Sequence, residues 1–471
     1  MQYFKIRTVS DNYIRLSVIR YTLFSLFFST IILAKAGAQS GTTFLSPGSP
    51  DYNFQLALKK GMDTKLLFPS SYPDRVILNL TEDPLSSVAV NWRTDTTVNQ
   101  AVVELARATN GPQFAGKSER YPAHTVKLKV SPPDEPEVTA HYHEATFSGL
   151  ASGEQYVYRV GDGEEKWSEW FQFETPTEDE KLTFLYFGDA QNDVKSMWSR
   201  VIREAYKSIP KIDFMLHAGD LINRHNRDIE WGEWFHAGNF IHASVPSLMT
   251  PGNHEYGKGV ELSPQWQPQF NLPINGPQGL EETCYQINYP NLKIVSLDAE
   301  QIDETPAFRD AQVAWLDSVL TNDSRQWTAI TLHYPFYSTH PRRDNSELRE
   351  YFKPIVDKHQ VDIVLQGHDH AYGRGMVKNV PTGRQVLSEE SGTMYVVSVS
   401  GPKMYDLSDD TWMKRSASNT QLFQLISIEG DELLYEAYTA TGKLYDAFSL
   451  QKRDGAPNQL VNHIPDTLKN K

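Results

Sequence analysis

From Lys181 onward, short apolar runs alternate with amphipathic segments, and five of the apolar runs end in a polar signature. The runs Leu182–Phe187, Phe214–Leu216, Leu292–Leu297, Thr328–Leu332 and Val361–Leu365 read as strands. The segments 194–209, 229–241, 307–320 and 346–360 read as helices. This alternation predicts βα units in an α/β layered fold, whose ligands gather beyond the carboxyl ends of the strands. The signatures are Gly188-Asp189, Gly219-Asp220, Gly252-Asn253-His254-Glu255, His333 after Ala329–Leu332, and Gly367-His368-Asp369-His370. They supply carboxylates, a carboxamide oxygen and imidazoles. Such a mixed oxygen and nitrogen set suits a pair of borderline divalent or trivalent metals better than calcium or a thiolate-bound zinc. It implies a two-metal hydrolase of phosphate esters.

The rest of the chain has a different texture. Lys5, Arg7, Arg15 and Arg20 precede an apolar run at 21–34, and Ala36-Gly37-Ala38 offers a small-x-small cleavage site. A run of about 14 residues is too short for a bilayer that needs roughly 20. Residues 1–38 therefore read as a signal peptide, and the mature chain as an exported, periplasmic or extracellular protein without a membrane span. Residues 39–71 lack periodicity and read as a linker or strap. Residues 72–177 carry short alternating strands (75–80, 87–93, 124–130, 155–160) and predict an antiparallel β-sandwich of roughly a hundred residues. The α/β region then runs over 181–450, followed by a tail at 451–471.

Charge and cysteine usage narrow the function. Residues 1–38 hold five Lys/Arg against one Asp, so their removal takes the formal charge from −14 to about −18. That acidity argues against a general nucleic-acid or anionic-membrane surface. It does not exclude a small phosphorylated substrate, because bound metals set the field inside a pocket. Cys284 is the sole cysteine, which rules out an internal disulfide and a cysteine-based metal site.

Each signature has a bland reading when taken alone. Gly-Asp marks turns, and Gly-Asn-His fits a capped loop. The chain holds its own control in His141-Tyr142-His143, a His-x-His in the β region with no carboxylate signature, which reads as a strand surface. His217 reads as a buried, hydrogen-bonded core histidine, and Trp231, Trp234 and Phe235 as helical core packing. His368 and His370 differ by company: five signatures in fixed order, each after an apolar strand.

In this pattern the chain resembles the calcineurin-like metallophosphoesterases, specifically the purple acid phosphatases. Their motifs are Asp-x-Gly, Gly-Asp-x-x-Tyr, Gly-Asn-His-Glu/Asp, x-x-His and Gly-His-x-His. Here they read Asp189-Ala190-Gln191, Gly219-Asp220-Leu221-Ile222-Asn223, Gly252-Asn253-His254-Glu255, Thr331-Leu332-His333 and Gly367-His368-Asp369-His370. Flanking text at 333–337 and 370–374 is similar too. The resemblance implies a four-layer β-sandwich flanked by helices, preceded by an all-β fibronectin-type domain. It also implies two metal ions per subunit (iron, zinc or manganese). Asp189, Asp220 and His370 would hold one, and Asp220, Asn253, His333 and His368 the other, with Asp220 bridging. A metal-held hydroxide would attack phosphorus, with His254 as proton or hydrogen-bond donor and His340 as a further outer-sphere acid.

Two departures stand out. Asn223 replaces the tyrosine whose charge transfer to iron gives these enzymes their colour, so the protein is expected not to be purple. Gln191 replaces a glycine, where many relatives carry a histidine ligand. Either amide could complete the first metal's shell or sit behind it; Asn223 is placed behind it, and Gln191 is left open. Arg224 and Tyr372 join them as candidate substrate or supporting residues, a surface ion pair being the other reading of Arg224. A phosphate monoester is the expected substrate. The alternatives are a phosphodiester- or nucleotide-cleaving relative, and a catalytically weak surface-binding module.

Overall fold

Two large sheets face each other in the computed structural model, which describes residues 45–178, 181–209, 211–377 and 391–465. The expected leader at 1–38 lies outside those residues. One sheet has eleven strands, in the order Ala456–Asn462, Leu444–Arg453, Glu432–Thr439, Leu422–Glu429, Lys181–Phe187, Phe214–His217, Ser247–Met249, Asp74–Leu80, Ser87–Thr94, Val138–Ser148 and His124–Val130. The other has seven: Tyr285–Asn288, Leu292–Ser296, Trp327–Thr331, Ile363–Gln366, Thr393–Val397, Tyr372–Val377 and Arg415–Ala417.

Strand periodicity builds the layers. Ile294, Ala329, Ile363, Leu365, Met394 and Val396 face the core shared with the first sheet. Their neighbours Val295, Ile330, Val364, Tyr395 and Val397 face a second core with the helices Pro306–Thr321 and Ser346–Lys358. Side chains alternate faces along a strand, so a run apolar at every position is one covered on both sides. The helices Ser199–Ser208 and Asp228–Gly238 cover the eleven-stranded sheet. The expected four-layer arrangement is the one found.

The all-β N-terminal domain is not a sandwich closed on itself. Four of its strands continue the long sheet through the parallel pair Asn79↔Ser247. A separate sheet, Glu119–Pro122, Val102–Arg107, Gln155–Gly161 and Phe171–Glu174, packs on them around Trp92, Phe147 and Tyr158. A buried ion cluster fastens this domain: Asp228 accepts from Arg75 at 2.7 Å and from Arg93 at 3.0 Å. Strand spacing reveals strands but not their partners, which is why the sharing was not legible.

Two expectations need correction. The region read as an aperiodic strap contains the helices Pro50–Lys59 and Thr64–Leu67. The buried residues of the first are Asn53 and Ala57, so its inward face carries no large apolar stripe to detect. The control pair His141 and His143 is buried, not on the surface. His143 Nε2 meets Thr94 Oγ1 at 2.8 Å and its Nδ1 meets Thr125 Oγ1 at 2.9 Å, while His141 Nδ1 donates to the Val98 carbonyl. Their strand is paired on both sides, by Ser87–Thr94 and His124–Val130, and hydroxyls and a carbonyl satisfy the rings.

Candidate metal centre

The strands 181–187, 214–217 and 247–249 are parallel in one sheet, and 292–296, 327–331, 363–366 and 393–397 in the other. Their carboxyl ends therefore open together, and the five signatures follow directly from them. Close backbone approach explains two of the glycines. Gly219 has φ +88, and a Cβ there would lie 2.7 Å from His333 Nδ1. A Cβ on Gly367 would lie 2.4 Å from Asp189 Oδ1.

Three candidate ligands sit in left-handed backbone without being glycine: Asp220 (φ 52), His368 (φ 75) and His370 (φ 46). Such conformations cost roughly 1–3 kcal/mol each and persist where surrounding bonds over-determine them. Glu255 supplies those bonds at Asp220. Its buried carboxylate accepts from the backbone N–H groups of Asp220 (2.9 Å), Leu221 (2.8 Å) and Gly252 (2.7 Å). Asp369, between the two histidines, does the same for the loop after His333, accepting from Ser338 Oγ, the Thr339 N–H and Arg343.

Two ligand groups result, Asp220–His333–His368 and Asp189–Asp220–His370, each with its donor atoms within 4.8 Å of one another. Asp220 belongs to both. Tautomers are set from behind: His333 Nδ1 donates to the Ala218 carbonyl at 2.8 Å, and His370 Nδ1 to the Lys403 carbonyl at 3.2 Å. Each ring thus turns Nε2 inward, His333 to 3.2 Å from Asp220 Oδ2 and His370 to 3.4 Å from Asp189 Oδ2. His368 Nδ1 lies 3.2 Å from His333 Nε2. Backing of this kind orients metal-binding imidazoles.

The donor set fits cations on a direct observation. Asp189 Oδ2, Asn253 Oδ1 and Gln191 Oε1 are buried here without a hydrogen-bond partner among the described residues. Buried oxygens are normally satisfied, and those of Asp189 and Gln191 lie at the ligand groups, where a cation would satisfy them. The electrostatics agree. Burial and the neighbouring Asp220 push Asp189 up to about 7 against the pull of His333. Asp220, despite its burial, is held below the carboxylate range by His333 and His254. His333, despite burial, is raised to about 10 by the two aspartates. Burial and His333 drive His368 well below its ordinary value, and burial and Lys403 take His370 to about 3, leaving neutral imidazoles.

The remaining candidates separate cleanly. Gln191 reaches the cluster: its Nε2 donates to Asp220 Oδ2 at 2.5 Å and lies 3.2 Å from His370 Nε2. Asn223 turns its side-chain oxygen to Asn192 Nδ2 at 3.0 Å, while its carbonyl accepts from His254 Nδ1 at 2.7 Å. That bond aims His254 Nε2 inward, 4.0 Å from Asp220 Oδ2. His340 stands farther out, its ring 5.3 Å from that of Tyr405. Arg224 is exposed, with its backbone N–H on Glu230. Tyr372 is a correction: it is fully buried, and its hydroxyl donates to Asp446, a side chain also held by Arg374. His217 is a second. It is buried as expected, but neither ring nitrogen has a hydrogen-bond partner among the described residues. Aromatic rings surround it instead. Glu255 and Asp369 stand inside the signatures and hold the ligand loops through backbone N–H groups, a role that residue type and spacing alone do not reveal.

Comparisons with known proteins agree with this geometry. Residues 73–175 match the model of the purple acid phosphatase N-terminal domain, and 182–372 that of the calcineurin-like phosphoesterases. The chain is 26% identical over 289 residues to the Fe(3+)-Zn(2+) purple acid phosphatase 12 of Arabidopsis thaliana, covering 56% of this chain and 60% of that protein. It is 28% identical over 262 residues to a purple acid phosphatase of Glycine max, covering 50% and 54%. It thus spans a little over half the length of these relatives. The purple acid phosphatase PPD1 of yellow lupin (Lupinus luteus) seeds shares the fold, with TM-score 0.66, 20% identity, and coverage of 82% of this chain and 75% of that one.

Proposed function

This chain is a purple acid phosphatase-like member of the calcineurin-like phosphoesterases, and from that premise we propose that it is an exported two-metal phosphohydrolase acting on phosphate monoesters. The observation that carries the reading is Asp220, a buried carboxylate common to both ligand groups. In this reading Asp189 and His370 hold one cation with Asp220, and His333, His368 and Asn253 hold the other. Gln191 would offer its unpartnered oxygen to the first if its amide turned over. Two cations there supply Lewis acidity to the phosphoryl oxygens and make water a nucleophile near neutral pH.

The chain's own groups do the rest. Nδ1 of His254 is committed to the Asn223 carbonyl, so Nε2 is the atom free to give a proton or hydrogen bond to the leaving oxygen. The carbonyls of Ala218 and Lys403 hold Nδ1–H of His333 and His370 and so aim the Nε2 atoms inward. Glu255 holds the Asp220 backbone, so the shared carboxylate does not reorganise between substrate and transition state. With Asn223 in place of a phenol, loaded protein should lack a phenolate charge-transfer band even with ferric iron present.

The test is turnover by the purified mature chain, loaded in turn with zinc, manganese and iron. It should cleave phenyl phosphate faster than bis-phenyl phosphate, and EDTA should abolish both activities. A faster diester reaction would reassign the substrate class. Two bound metals with neither ester cleaved would make the chain a binding module.

A further inference from the structure

Beyond the ligands, one aromatic ring gathers positive charge at the mouth of the site. Tyr405 lies with its ring 4.7 Å from that of His370, and its backbone N–H donates to the His370 carbonyl. Around the same ring stand Arg343, 5.2 Å from its centroid, Lys403 Nζ at 5.4 Å, and His340 at 5.3 Å. The chain is strongly acidic overall, so two cations placed together here run against its general charge.

Lys403 carries no ion pair among the described residues, and Arg343, paired with Asp369, keeps part of its guanidinium exposed. One guanidinium nitrogen of Arg343 serves the His368 carbonyl at 2.7 Å and Asp369 at 3.0 Å, and its side chain is 29% exposed. Both charged groups stand against the Tyr405 ring, which itself abuts the ring of His370. They therefore face the part of an ester beyond the phosphorus rather than the phosphoryl group that the metals would neutralise.

We propose that Arg343, Lys403 and Tyr405 form a leaving-group subsite selecting monoesters whose alcohol portion carries its own anionic group, such as a carboxylate. This rests on the metal-centre reading above. The ring's negative face holds both cations beside it, and together they attract an anionic group by charge. Exposed pairs of this kind contribute up to about 1 kcal/mol, or about fivefold in affinity.

The experiment measures binding as well as turnover, so the two readings fail separately. Metal-loaded full-length protein is titrated calorimetrically with benzylphosphonate and with 4-carboxybenzylphosphonate, which cannot be hydrolysed. KM is measured in parallel for phenyl phosphate and 4-carboxyphenyl phosphate. Wild type should favour the carboxylated member of each pair about fivefold. Lys403→Gln should remove that preference, Lys403→Arg should restore it, and added salt should shrink it. No preference in wild type, or a preference that survives Lys403→Gln, overturns the subsite. A binding preference without any turnover would keep the subsite and sink the hydrolase reading.

Discussion

The molecule buries two histidine clusters with opposite chemistry. His333, His368 and His370 converge on Asp189 and Asp220 at the strand ends. His217 and His242 lie about 6.2 Å apart among Phe187, Trp198, Trp234 and Phe235, with no hydrogen-bond partner on any of their four ring nitrogens among the described residues. Burial is near complete in both places except at His368, which is half-buried. What separates them is the presence of carboxylates, and of backbone carbonyls that fix which nitrogen faces inward. An imidazole among aromatics is a flat apolar filler. One between an aspartate and a carbonyl is a ligand waiting for a cation.

Substitutions can break that contrast, beginning with the largest effect. Asp220→Ala removes the carboxylate shared by both ligand groups. Its turnover should fall beyond the 10–100-fold typical of outer partners, to about a thousandth or less of wild type. His254→Ala should lower turnover by about 10²–10⁴-fold while metal content holds, since this ring donates to substrate rather than to the ions. Unchanged turnover would remove His254 from the mechanism. Glu255→Gln keeps the size but replaces one accepting oxygen with a donor facing backbone N–H groups. It should cost about 1–3 kcal/mol in denaturant unfolding and about 10–100-fold in turnover.

The aromatic cluster gives the contrasting pH test. Burial lowers His242 to about 3, and holds His217 well below its ordinary value. Above about pH 6.5 both rings are neutral whether the chain is folded or not, so they do not alter stability. As pH falls from there toward 3, the unfolded chain takes up protons that the folded one refuses. Stability should then drop by about 1.4 kcal/mol per pH unit for each ring. Thermal unfolding of His242→Phe should show a shallower loss between pH 6.5 and 4.5, with metal content unchanged. An identical pH slope would show that this pocket does not exclude the charged form.

Local sequence carried the strand-end ligands because parallel strands end side by side, so residues following apolar runs must meet. The same logic misplaced Tyr372. It is two residues beyond His370, but it begins a buried strand and points to Asp446 on the far side. His217 was legible as buried, whereas its aromatic surroundings come from four other segments that no local pattern connects. Arg343, Lys403 and Tyr405 were invisible for a related reason. They occupy loops with no periodicity, and only the fold brings them to one ring. The shared sheet of the N-terminal domain stayed hidden because alternation specifies a strand's faces, not its edge partners.

Whether Asp220 is shared by two ions is decided by metal stoichiometry after exhaustive dialysis of wild type, Asp189→Ala and Asp220→Ala. Asp189 belongs to one ligand group and Asp220 to both. Two ions per chain are expected in the wild type, one in Asp189→Ala and fewer than one in Asp220→Ala. A single ion in the wild type, or two retained without Asp220, would contradict that sharing.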